Sequence, residues 1–84
     1  MSATDEDKID PAVAETLFVE YGDELRRFLH GVLRDSQLAS DVLQTVFAKF
    51  VERGHETQEK SRKAWLFRVA YHEAIAIRRG DHVL

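Results

Sequence analysis

His72 and Glu73 open the stretch "HEAIA", which begins like a zinc-protease motif. In that motif two histidines one helical turn apart hold the metal, and the glutamate acts as a base. Here the position of the second histidine is Ala76. The remaining histidines, His30, His55 and His82, do not stand one turn away, so no metal site is expected. The chain has no cysteine, which removes thiolate ligands and disulfides together. No glycine-rich phosphate loop is present, and no nucleophile has an evident base beside it. Asp5–Glu6 and Asp23–Glu24 are sequence neighbours, and such neighbours diverge on a helix instead of pairing. The reading is of a non-enzymatic chain without cofactor or metal.

The chemistry these residues suit better is the holding of anions. From residue 60 onward, Lys60, Arg62, Lys63, Arg68, Arg78 and Arg79 face only Glu73 and Asp81, a local charge of +4 in a chain of net charge −3. Arg68, His72 and Arg79 recur at one helical face, with Ile75 beside them and Tyr71 and Arg78 flanking. Cations hold phosphates, and flat side chains receive unstacked bases, so this pattern fits an opened nucleic-acid strand. A solvated basic helix would give the same spacing. Trp65 and Phe67 read as core.

A second feature is the stretch "LASDVLQTVFAKF", Leu38 to Phe50. Val42, Leu43, Val46, Phe47 and Phe50 make one apolar helical face. The opposite face carries Asp41, Gln44 and Ala48, small and nearly uncharged in a chain where a solvated face would show Glu and Lys pairs. Either another part of the chain covers that face, or it is a docking surface with Asp41 and Gln44 as polar keys.

Three helices position these groups. Asp10-Pro11 suits a helix start, because aspartate can cap and proline fits the first turn. Helical spacing of Val13, Leu17, Phe18, Tyr21, Leu25, Phe28, Leu29 and Val32 then predicts a helix over 11–33, with Gly22 and Gly31 as weak points. Asp35 or Ser36 caps a second helix over 36–53, which stops at Gly54. "GHETQEKS" reads as a polar loop. Ser61 caps a third helix over 62–79, stopped by Gly80, with Leu66, Ala70, Ala74 and Ile77 on its apolar face. No strand alternation appears. The expected fold is all-α, a small three-helix bundle in residues 11–84, preceded by a disordered acidic lead-in over 1–10.

At 84 residues the chain is one small domain. Its acidic N-terminus lacks the apolar core of a secretory signal. No apolar run approaches the roughly 20 residues needed to span a bilayer. No membrane insertion is expected, and a reducing cytoplasm suits a chain without cysteine.

"ASDVLQTVF" resembles the A-x-D-x-x-Q-x-x-F signature in region 2 of bacterial sigma factors, above all the extracytoplasmic-function (ECF) type. "AWLFRVAYHEAIAIRR" resembles the W-L-f-r-I-A-r-N-x-a-i-D-x-x-R run that follows it in the same region. "LFVEYGDELRRFL" resembles the preceding helix, and the likeness covers roughly residues 12–79. The resemblance implies a transcription initiation domain that docks on the clamp helices of the RNA polymerase β′ subunit. It would also recognise and melt the promoter −10 element, capturing non-template bases. Asp41 and Gln44 match the family's polymerase-binding residues, with Phe47 and Ala48 beside them. Lys60, Arg62, Lys63, Arg68, His72, Arg78 and Arg79 fall where the family meets DNA. An anti-sigma protein is the expected regulator. His72 replaces the usual asparagine, Tyr71 a basic residue and Ala76 an aspartate, so no base specificity carries over. The family's linker and its C-terminal reader of the −35 element, region 4, are absent from these 84 residues. The rival reading is a helical protein–protein adaptor, or anti-sigma decoy, that no longer reads promoters.

Overall fold

The computed structural model describes residues 8–80. Helices α1 (Pro11–Leu33), α2 (Ser36–Arg53) and α3 (Arg62–Arg78) pack against one another pairwise. No strand occurs among the described residues, and the fold is the expected three-helix bundle. Two short 3₁₀ turns, Gly54–Glu56 and Glu59–Ser61, give shape to the loop before α3.

Local chemistry sets most boundaries. The Asp10 carboxylate accepts from the Ala12 amide at 2.9 Å, and Pro11 occupies the first turn of α1. Gly22 and Gly31 do not interrupt α1, because packing outweighs their propensity cost of about 1 kcal/mol each. Asp35 caps α2 by accepting from the Leu38 amide at 3.0 Å. The Ser61 side chain makes no capping bond, so α3 starts from the preceding 3₁₀ turn and not from a serine cap. Gly80, at φ +75°, follows α3 with its amide on the Ile77 carbonyl.

The core sits where the three helices meet. Leu25 and Leu29 of α1, Val46 and Phe50 of α2, and Leu66 of α3 are fully buried. Ala39, Ala70 and Ala74 are fully buried too, and their small side chains let the helix backbones approach. Phe50 lies at the centre, its ring 5.6 Å from Trp65 and 6.5 Å from Phe47, both edge-on. Trp65 and Phe67 are half-buried and packed on the core, and Phe67 meets Phe28 at 5.5 Å.

The acidic lead-in ends sooner than its composition suggests. Ile9 is buried, and its amide donates to the Val51 carbonyl at 3.0 Å. One apolar residue in an acidic run is enough to tie the chain to the core. Residues 1–7 of the expected lead-in lie outside the described residues.

Candidate functional site

The α2 face that carries Asp41, Gln44 and Ala48 is exposed. Neither α1 nor the segment before it lies over these residues. Asp41 accepts a hydrogen bond from Gln37 Nε2 at 3.1 Å, one turn back on the same helix. That bond orients the carboxylate without using up its second oxygen. Phe47 is turned the other way. It is buried, with its ring edge-on to Phe18 at 5.1 Å, and it supports the face from beneath.

The cations fall into separate places. Lys60, Arg62 and Lys63 line one side of an open cleft of about 620 Å³. Ala12, Thr16 and Tyr21 of α1 line the other side. Lys63 sits over the Tyr21 ring, with Nζ 5.3 Å from its centroid and 3.7 Å from the Glu24 carboxylate. Arg62 is more deeply set. Its guanidinium lies 6.0 Å from the Phe50 ring centre and 3.9 Å from Glu59, and its Nε is buried without a hydrogen-bond partner among the described residues. Its stem therefore packs while its head stays at the cleft. A hydrogen bond to Glu20 pushes the Tyr21 phenol above its ordinary pKa, helped by burial and by the charges of Glu20 and Glu24. The phenol is thus a neutral group at physiological pH.

Arg68 and His72 are exposed on the outer face of α3, with Tyr71 alongside and about half exposed. The Tyr71 ring lies 6.2 Å from His72 and 6.5 Å from Phe28. Arg78 points elsewhere. Its guanidinium donates to the Val32 carbonyl at 3.3 Å and ties α3 to the end of α1. Arg79 is exposed at the end of α3. Tyr21 and Thr16 enter the site from a distant part of the sequence, and nothing in their local spacing marked them.

The sigma-70 region 2 family model matches residues 17–82. This chain belongs to the sigma-70 region 2 family. Membership implies RNA polymerase binding and promoter −10 recognition in general, and places the chain among non-enzymatic transcription initiation domains. No curated protein and no solved structure matches it. No helix among the described residues is long and apolar enough to cross a membrane.

Proposed function

We propose that this chain is the polymerase-docking and −10-binding domain of an ECF-type sigma factor. The docking face is Asp41, Gln44 and Ala48 on α2, and its partner is the β′ clamp helices. Desolvating so small and weakly charged a face costs little, while the Asp41 carboxylate and the Gln44 amide fix the register. Phe47 contributes by holding that face rigid.

The observation that carries the DNA reading is the cleft between α1 and the start of α3. It sets Lys60, Arg62 and Lys63 opposite Tyr21. Cations beside an aromatic ring suit a strand whose bases have left the stack. Arg68, His72 and Tyr71 extend that surface along α3, and Arg79 lies at its far end. Arg78 supports it through the Val32 carbonyl. Unstacking costs a few kcal/mol per base, so polymerase must supply much of the binding energy. An anti-sigma protein that covers either surface would silence the domain.

The test is binding to a clamp-helix fragment of β′ and, in assembled holoenzyme, to a non-template −10 strand. Asp41→Ala and Gln44→Ala should weaken the first by about 1–2 kcal/mol each if they are hot-spot contacts. Lys63→Ala and Arg68→Ala should weaken the second and spare the first. A folded wild-type chain that ignores the clamp fragment would overturn the docking assignment. Unchanged strand binding by both cation variants would favour the adaptor reading.

A further inference from the structure

A depression beside the α1–α2 turn belongs to neither surface above. It holds about 330 Å³ and is lined by Arg26, Arg27 and His30 from α1 and by Ser36, Ala39 and Ser40 from α2. Ala39, small and fully buried, leaves the space between the two walls. Every polar side chain on the lining can donate a hydrogen bond, and no carboxylate is among them. The sequence concentrates positive charge here. Residues 25–34 hold Arg26, Arg27, His30 and Arg34 and no acid, although acids outnumber bases nine to five over residues 11–59.

These donors are unspent. Arg26 pairs only with the exposed Asp23, at 3.2 Å. The side chains of Arg27, His30, Ser36 and Ser40 have no hydrogen bond or ion pair among the described residues. Elsewhere such groups are occupied. The Thr16 and Thr45 hydroxyls bond back to their own helices, and Lys49, Arg62 and Lys63 lie beside glutamates. The two walls also match in spacing. Arg26 and His30 are one turn apart on α1, as Ser36 and Ser40 are on α2, about 6 Å along each axis.

We infer that this depression binds a phosphate group, carried by free phosphate or by a small phosphate monoester. Arg26 and Arg27 supply the charge and the planar forks that grip phosphate oxygens in pairs. His30, Ser36 and Ser40 donate from the remaining sides. A tetrahedral oxyanion presents acceptors to both walls at once. A carboxylate has two oxygens in one plane and leaves one wall unserved. A polymer fits less well. Asp35 precedes Ser36, Asp41 follows Ser40 and Asp23 sits on Arg26, so a strand or an acidic helix that overran the depression would meet carboxylates. No aromatic side chain lines it to receive a base. The site shares no residue with the docking face or the cleft, so it stands or falls apart from both.

The test titrates the intact chain with sodium phosphate at neutral pH and constant ionic strength, following amide and arginine side-chain NMR signals. Sodium acetate is the carboxylate control, and AMP is the monoester probe. Phosphate should move the signals of Arg26, Arg27, His30, Ser36 and Ser40 and saturate in roughly the millimolar range, while acetate does not saturate. Tighter binding of AMP than of phosphate identifies a monoester as the ligand, and weaker or equal binding identifies free phosphate. Arg27→Gln should weaken phosphate about tenfold. Ser36→Ala/Ser40→Ala changes no charge and should weaken it about fivefold, which a mere ion atmosphere around the arginines would not show. Arg53→Gln removes a cation at the other end of α2 and should leave the affinity unchanged. Circular dichroism of each variant separates lost binding from lost fold. Unsaturating shifts spread over all the basic residues overturn the site. So does acetate that binds as well as phosphate, or a folded serine double variant that binds like the wild type. A single-stranded oligonucleotide that moves these signals where phosphate and AMP do not overturns it too.

Discussion

Lys63 is held in place twice, by the Tyr21 ring and by Glu24. Both contacts are solvent-exposed and weak, so the ammonium can exchange them for a phosphate at small cost. Lys63→Ala should therefore cost little stability and reduce strand binding, a contrast read by thermal melting and a −10-strand titration. Tyr21 supplies a pH marker. Its raised pKa comes first from the hydrogen bond to Glu20. The resulting stabilisation is complete below the ordinary tyrosine range and lost as pH rises through the folded-state value. Glu20→Gln should bring the Tyr21 ionisation back toward that ordinary range, as followed by tyrosinate absorbance. Gly54 is constrained by space. A Cβ there would stand 2.6 Å from the Phe50 ring and 3.1 Å from Ile9. Gly54→Ala should destabilise by about 1–3 kcal/mol through overpacking, measurable by urea unfolding.

At the scale of elements, the turn between α1 and α2 contains a strained residue. Arg34 adopts φ +59°, the left-handed region where glycine is the usual occupant. An L residue there costs about 1–2 kcal/mol, and glycine gives part of that back as unfolded-state entropy. Arg34→Gly is expected to stabilise the chain by about 0.5–1 kcal/mol in denaturant unfolding. The neighbouring cap has the opposite sign. Asp35→Ala removes the bond to the Leu38 amide and should cost about 1 kcal/mol. Between α2 and α3, Lys49 and Glu73 pair at 2.7 Å, partly shielded from water. That link and the Arg78 contact to Val32 hold α3 against its two neighbours.

For the molecule as a whole, one small core supports several surfaces. A domain of this size has little stability to spare. Ile9 shows how thin the margin is, since a residue before the first helix joins the core. The strand-binding charge is modest. If Lys60, Lys63 and Arg68 neutralise three phosphates, the slope of log affinity against log salt should be about −2 on a single strand. Each change of one of them to alanine should reduce that slope by about 0.7. A slope that does not respond to these changes would move the phosphate contacts elsewhere.

The features legible in the chain alone were local. Asp10-Pro11 and Asp35 declare helix starts because capping involves only residues within a turn. The apolar stripe of α2 declares its buried face because helical period is a property of the chain alone. The paired motifs in "ASDVLQTVF" and "AWLFRVAYHEAIAIRR" led to the family because their spacing survives without coordinates. Packing between helices settled the rest. The stripe puts Phe47 on the buried face while the family likeness sets it beside the docking residues, and its burial against Phe18 shows that it lies beneath them. By residue type Arg62 and Arg78 read, like Arg68, as cations for a phosphate strand. Contacts across the bundle turned one over Phe50 and the other onto the Val32 carbonyl. Tyr21 joins Lys63 at the cleft from 42 positions away. Periodicity specifies which side of a helix is apolar, but the pairing of sides and the fate of long flexible cations depend on interhelical packing.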